Sequence, residues 1–253
     1  MGMKKVLMAV SAIAFLGQAS WGHGGEESRI ALEPDLMSMA AGSAKYRFQL
    51  IDTETNKLIG DQDVNIAHEK KLHLIIYDPS LQEFQHVHPE FDGTMWVAAT
   101  QFSVDGNYWI WAQGELASDG EEFSSSNRLN ITGGTSAWPT PPVLGDQRTG
   151  ASGTSAIELS KTKLVAGKMV MLDLMMTRTD GTTPKLEPYL GAFAHIIATP
   201  VDGDALIHIH PVSTGPSEGM LHATFPAAGE YRLWIQFIDD RNLKTIPLSV
   251  EVF

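Results

Sequence analysis

Short runs of alternating apolar and polar residues recur along the chain. The alternation is plain in residues 72–77 and 231–237, and turn-forming pairs such as Asp180-Gly181 and Asp202-Gly203 separate the runs. A period of two residues is typical of β-strands, and no long helical period follows the N-terminal segment. The pattern therefore predicts an all-β protein made of short strands.

The chain also contains an internal repeat. Residues 106–113 align with residues 229–236, each segment beginning with Gly-x-Tyr. We predict two tandem β-sandwich domains of the immunoglobulin-like type, in which the repeated tyrosine is a candidate tyrosine corner. The predicted boundaries are a first domain at 27–133, a linker rich in Pro, Gly and Ser at 134–155, and a second domain at 156–253.

Residues 1–22 have the pattern of a signal peptide for export. Two lysines precede an apolar run at 6–16, and Ala19 and Gly22 are candidate cleavage points. Cleavage after Gly22 would leave His23 first, where the terminal amine and the ring could chelate copper together. The mature protein is expected to be periplasmic or secreted, with no membrane insertion after signal removal.

Composition narrows the chemistry further. The chain has no cysteine, which excludes disulfides, thiolate-ligated blue copper and zinc sites built on thiolates. Its formal net charge of -12 argues against nucleic acid and anionic membranes as partners. The same charge suits a soluble protein that meets cations.

Two histidine triplets share one spacing and hold six of the nine histidines. A duplication that preserves three histidines and a following proline in each copy points to a role for those residues, and metal binding is the best candidate. The predicted ligands are His73, His86 and His88 in the first half, and His195, His208 and His210 in the second.

Strand geometry allows each triplet to converge. If residues 72–77 and 83–88 form a hairpin centred on Ser80 and Leu81, His73 lies opposite His88, and His86 shares their face. Since a slip of one residue would turn rings to the other face, the prediction depends on that register. The second triplet has the same spacing and the same expected geometry.

Three neutral imidazoles suit Cu(II), Zn(II) or Ni(II), and copper binds most tightly of these. Zinc remains a competitor, because three histidines with one open position are a known zinc arrangement. His222 is a candidate fourth ligand in the second domain, whereas His68 has the wrong strand parity to join His73. Met169 and Met171 lie in an alternating apolar segment and are predicted to be core residues.

Two Trp-x-Gln pairs occupy matching positions in the repeat, Trp111 with Gln113 and Trp234 with Gln236. They lie on the strand face opposite the one predicted to be buried. Exposed tryptophans in both copies would mark a protein interface, unless another sheet covers that face.

With these residues in hand, the chain resembles a group of exported bacterial proteins with one or two immunoglobulin- or cupredoxin-like domains, described as copper-binding or heavy-metal-related. The resemblance is strongest in the second half, at residues 189–195, 208–211 and 225–232, and looser in the first, at residues 85–89. It implies a β-sandwich fold and a link to metals.

Three functions follow, in decreasing order of support. The first is a periplasmic metal carrier or buffer, most simply for copper, that binds the ion without turning it over. The alternative is a metal-free structural or adhesion module that binds an envelope protein partner. An enzyme ranks last, since the sequence has no nucleophile elbow, phosphate loop or H-E-x-x-H motif.

Overall fold

A computed structural model describes residues 21–24, 28–136 and 142–253, with only the backbone given at 21–24. The predicted signal peptide therefore lies outside the described residues, apart from Trp21 and Gly22 in the strand β1 (Trp21–Gly24). Regular structure in the described part consists of strands and one 3-10 turn at Asp61–Asp63. None of its helices is long and apolar enough to cross a membrane.

The first domain is a sandwich of two sheets. Its outer sheet has the order β2–β4–β9–β8, with β5 beside β4, and its inner sheet has the order β3–β11–β10–β6–β7. The apolar sides of the sheets enclose a core that includes Trp96, Phe48 and Tyr46. Its strands are β2 (Ile30–Pro34), β3 (Ser38–Ala40), β4 (Gly42–Asp52), β5 (Lys57–Leu58), β6 (Leu72–Tyr77), β7 (Phe84–Val87), β8 (Glu90–Phe91), β9 (Trp96–Phe102), β10 (Gly106–Glu115) and β11 (Glu122–Thr132).

The second domain repeats this plan. Its outer sheet has the order β12–β13–β14–β19–β18, and its inner sheet has the order β1–β17–β16–β20–β15, with β21 beside β20. A separate core includes Phe225, Phe237 and Tyr231. Its strands are β12 (Thr149–Ser152), β13 (Ser155–Leu159), β14 (Met169–Arg178), β15 (Leu186–Glu187), β16 (His195–Pro200), β17 (Ala205–Ile209), β18 (Val212–Gly215), β19 (Glu218–Thr224), β20 (Gly229–Asp239) and β21 (Asn242–Val252). The all-β fold with two tandem sandwich domains is confirmed.

The candidate tyrosine corner is present in both domains. The Tyr108 hydroxyl donates to the Val104 carbonyl at 3.1 Å, and the Tyr231 hydroxyl donates to the Ala227 carbonyl at 3.0 Å. Each tyrosine thus ties its strand to the backbone four residues upstream, as in immunoglobulin-like sandwiches. The repeated Gly-x-Tyr therefore marks a tyrosine corner in each domain.

The second domain starts earlier than the sequence indicates. Residues 149–152, assigned above to the linker, form β12 and pair with β13. A Cβ at Gly150 would lie 2.7 Å from the Ile246 side chain, so glycine allows this strand to lie against β21. Gly150 therefore reflects close strand packing rather than a flexible linker.

The methionines at the start of β14 correct a second expectation. Met169 and Met171 are exposed, because Leu172 and Leu174 fill the core from the other face of the strand. Asp173 shares the face of the two methionines. That carboxylate was the sequence signal that this face meets solvent.

The inner sheets of the two domains pack face to face. All six residues of β6 are buried, as are the first five of β16 and all of β17, which is the pattern of strands covered on both sides. Trp111 and Trp234 are therefore not exposed surface residues, since each domain covers the tryptophan of the other. The shared apolar cluster consists of Ile75, Tyr77, Leu81, Trp111, Ile197, Leu206 and Trp234.

A local twofold axis relates the domains at this junction. The Tyr77 hydroxyl lies 3.0 Å from the hydroxyl of Thr199, its equivalent 122 positions later. Ile75 and its equivalent Ile197 belong to the same apolar cluster. Contacts between equivalent residues are the mark of an isologous interface, here formed within one chain.

Candidate metal centre between the domains

The first triplet lies on the hairpin that β6 and β7 form. Its register pairs Ile75 with His86 and Leu74 with Val87, as expected, so His88 follows in line opposite His73. The three rings share one face of the inner sheet, and one nitrogen of each lies within 4.8 Å of the others.

The second triplet repeats this geometry on β16 and β17. Ile197 pairs with His208, which brings His210 in line with His195. These three rings also converge within 4.8 Å of one another. The structure thus brings together each set of three histidines that the spacing singled out.

Backbone carbonyls orient the first histidine of each triplet. His73 Nε2 lies 3.3 Å from the Ala67 carbonyl oxygen, and His195 Nε2 lies 3.0 Å from that of Tyr189. Because a carbonyl oxygen only accepts, Nε2 carries the hydrogen in both rings. The lone pair is therefore on Nδ1, which points into the triplet.

Glutamines of the opposite domain orient the second histidine of each triplet. His86 Nδ1 donates to Gln236 Oε1 at 2.8 Å, and His208 Nδ1 donates to Gln113 Oε1 at 3.1 Å. The amide nitrogens are committed elsewhere, since Gln113 donates to Ser124 and Gln236 to Thr245. In both histidines Nε2 is thus left with its lone pair directed into the triplet.

These lone pairs face one another at short range. Among the nitrogens assigned as acceptors, His195 Nδ1 lies 3.0 Å from His208 Nε2, and His73 Nδ1 lies 2.9 Å from His86 Nε2. Two acceptor nitrogens cannot form a hydrogen bond with each other unless one of them takes up a proton. A metal ion at 2.0–2.1 Å from each would hold two nitrogens about 3.3 Å apart in tetrahedral geometry, close to this spacing.

The third histidine of the first triplet adds an independent sign. His88 Nε2 is buried and has no hydrogen-bond partner among the described residues. A buried ring nitrogen without a partner is costly, and a metal ion would satisfy it.

Burial keeps the imidazoles neutral, as metal ligation requires. Loss of hydration lowers the pKa of His73 to about 3 and that of His88 to about 4. It lowers the pKa of His195 to about 4 and that of His210 to about 2. The same cause holds the pKa of two further rings well below 6.5, those of His86 and His208.

The two triplets meet across the local axis and form one centre. The ring centroids of His86 and His208 are 5.6 Å apart, those of His73 and His208 are 5.7 Å apart, and those of His86 and His195 are 5.9 Å apart. Sequence reasoning placed one site in each domain. It missed their contact because the strand face that joins them was assumed to be exposed.

His68 belongs to this centre and makes it asymmetric. It lies in the turn at 67–70 with a φ of 50°, and its ring centroid is 3.9 Å from that of His210. Leu190 occupies the matching turn of the second domain, also with a φ of 50°. The parity argument against His68 failed because the residue lies in a turn rather than on the straight strand of His73.

His222 lies elsewhere. It is exposed on β19 and pairs with Met171 of β14, in the outer sheet of the second domain. The structure does not bring it to the second triplet, which belongs to the inner sheet of that domain.

A model of the family described as Domain of unknown function (DUF8832) matches residues 26–128 and again residues 150–253. No curated protein matches the chain significantly. The two matches coincide with the two sandwich domains, each of which supplies one histidine triplet.

Several solved structures are similar to the chain at low sequence identity. FdeC, an Escherichia coli adhesin, is 12% identical to the chain, with a TM-score of 0.28. The match covers 90% of this chain and 65% of the FdeC chain. The fibronectin(III)-like modules of Clostridium thermocellum CbhA are 12% identical with a TM-score of 0.24, covering 88% of this chain and 93% of that one. The D00-D0 domain of Intimin is also 12% identical, with a TM-score of 0.24 over 87% of this chain and 98% of its own.

Proposed function

The chain belongs to the DUF8832 family and carries its domain twice, and from that premise we propose that the two domains together hold transition-metal ions in the histidine centre at their junction. Copper is the preferred ion, with zinc as competitor. The protein would act as a carrier or buffer in periplasmic metal homeostasis and would bind the ion without turning it over.

One observation carries the proposal. In each triplet one nitrogen from each of the three rings converges, and two of these nitrogens direct lone pairs inward, because carbonyl and amide oxygens hold the hydrogens of those two rings on the far side. Partners of this kind, which fix the tautomer of a ligating histidine, are a regular feature of metal sites.

The donor set supports copper or zinc over harder ions. Three imidazoles and no carboxylate make up each triplet, whereas magnesium and calcium prefer oxygen ligands. Nitrogen sites bind copper more tightly than zinc in the usual order of divalent ions. The burial of the rings favours retention of the ion over turnover of a substrate.

A second function is favoured by the hydrogen bonds that cross the junction. His86 and His208 each donate to a glutamine of the opposite domain, so the histidines could serve only to hold two domains of a structural or adhesion module together. This alternative needs no metal. It predicts that substitution of the triplet histidines weakens domain packing without any effect on metal content.

Metal titration separates the two functions. Wild-type protein is expected to bind two equivalents of Cu(II) or Zn(II). Removal of one triplet through H86A/H88A or H208A/H210A should leave one equivalent, because each triplet supplies its own ligands. Equilibrium dialysis followed by elemental analysis measures the stoichiometry. H222A, which changes an exposed histidine outside the centre, is the matched control and should keep two equivalents of the divalent ion. Failure of the folded wild type to bind either metal would favour the structural module.

The glutamines should act across the domain boundary. In the H208A/H210A chain, which retains only the first triplet, we expect Q236L to lower copper affinity about 10- to 100-fold, as loss of a ligand-orienting partner usually does. Q113L in the same chain should change the copper affinity little, because Gln113 orients the ring of His208 and this chain lacks that histidine. Competition with a chelator measures the affinity, and Q101L on the outer sheet is the control. Equal losses from Q236L and Q113L would contradict this assignment.

A further inference from the structure

The outer sheet of the second domain exposes an unusual set of side chains. Met169 is 72% exposed and Met171 is 59% exposed. Met220 and His222 lie on the same outward face of the neighbouring strand β19. Four of the eleven methionines of the chain belong to this sheet face when Met175 is included.

Strand register brings these side chains to one place. Met171 pairs directly with His222, while Met169 pairs with Thr224 one step along the strands. Cβ atoms of directly paired residues lie about 5 Å apart and diagonal ones about 7–8 Å apart, within reach of methionine side chains. Met220 is diagonal to Met171, and Met169 is diagonal to His222, so the four form one contiguous group.

The first domain shows what this face holds in the absence of such a group. Its equivalent strands β4 and β9 pair in the same register, with Lys45 opposite Ala99 and Ser43 opposite Gln101. These are ordinary residues for a solvent-facing sheet. The second domain has Met171 opposite His222 where the first has Lys45 opposite Ala99, so the thioethers are not required by the fold.

Apolar packing does not account for the methionines either. They contribute nothing to the core of the second domain, which Leu172, Leu174 and Met176 fill from the opposite face of β14. A flexible thioether is a soft ligand, and thioethers combined with imidazole favour Cu(I) over harder ions. The carboxylate of Asp173, directly opposite Met220 in the register, supplies negative charge next to the group.

We propose that Met169, Met171, Met220 and His222 form a surface site for a soft monovalent cation, Cu(I) or Ag(I), separate from the histidine centre. The site is open to solvent and consists mainly of neutral thioethers. It therefore exchanges its ion readily and discriminates against zinc. The proposal does not depend on metal binding at the triplets, which lie on the inner sheets of the two domains.

The test uses the full chain with methionine methyl groups labelled with carbon-13, titrated with Ag(I), which is soft and redox-silent. The methyl signals of Met169, Met171 and Met220 are expected to shift together and to saturate at one equivalent beyond any taken up by the histidine centre. Zn(II) should leave them unchanged. In M171L/M220L, which preserves size and apolarity at these positions, Met169 is the remaining reporter, and its signal should show an Ag(I) affinity about tenfold lower or weaker still.

Met37 provides the matched control, since it is 58% exposed on the first domain and the M37L substitution removes an exposed thioether from the other domain. M37L should leave the titration unchanged. The proposal is overturned if the three methyl signals do not move with Ag(I), or if Met37 shifts at the same concentrations as Met171. Histidine ring signals report on the inner centre in the same experiment, so either site can fail without the other.

Discussion

The metal-free protein is expected to lose stability steeply as the pH falls below about 6.5, which is the ordinary pKa of a histidine side chain. Burial holds the pKa of His86 and His208 well below that value in the folded state. Between the two values the unfolded chain binds protons that the folded chain does not, so the free energy of unfolding falls as the pH falls. These two residues alone give a slope of about 3 kcal/mol per pH unit.

Denaturant unfolding followed by tryptophan fluorescence at about pH 7.5 and about pH 5.5 measures this effect. Q101L, which changes a residue of the outer sheet of the first domain, should show the wild-type dependence. The H86N/H208N variant should show a shallower one, because asparagine does not titrate. A midpoint that stays constant across this range would contradict the neutral, buried state of the rings.

Truncation of Trp234 is expected to cost about 3–5 kcal/mol and to uncouple the domains. The indole is 2% exposed and stacks on Phe84 of the other domain, with ring centroids 4.6 Å apart. It also contacts Tyr77, at a centroid distance of 5.4 Å. Because most of its neighbours belong to the apolar cluster between the domains, W234A acts on their association.

Calorimetry distinguishes loss of domain association from destabilisation of the core of one domain. We expect a single transition in the wild type and two separate transitions in W234A. W96A serves as the comparison, since Trp96 lies in the core of the first domain and its loss should destabilise that domain directly. A single, merely shifted transition in W234A would mean that the domains do not depend on this contact.

The local features of the site were predictable from the sequence. The repeat identified the two domains, and the hairpin length fixed the register that aligns His86 with Ile75. Strand parity then placed three rings on one face in each copy. These features depend on residues close together in the chain, where period and turn position determine geometry.

The union of the triplets was not predictable in the same way. Alternation along β10 and β20 indicates that one face of each strand packs into the core of its own domain. It does not indicate what covers the other face. The sequence pattern assigned Trp111 and Gln113 to the surface, because the residues that cover them belong to the other domain, more than 80 residues away in the chain. The error at Met171 was different, since Asp173 two residues later already marked that face as exposed.

The crossed glutamines have a consequence for any protein that contains this domain only once. Gln113 reaches a histidine of the other copy, so a solitary domain would lack this hydrogen bond. Such a protein is expected to assemble as a homodimer about a true twofold axis, and the present chain has the arrangement of that dimer joined into one polypeptide. Joining removes the requirement that both halves be identical. That freedom is what allows a histidine at position 68 to face the centre while its counterpart, Leu190, does not carry a ring.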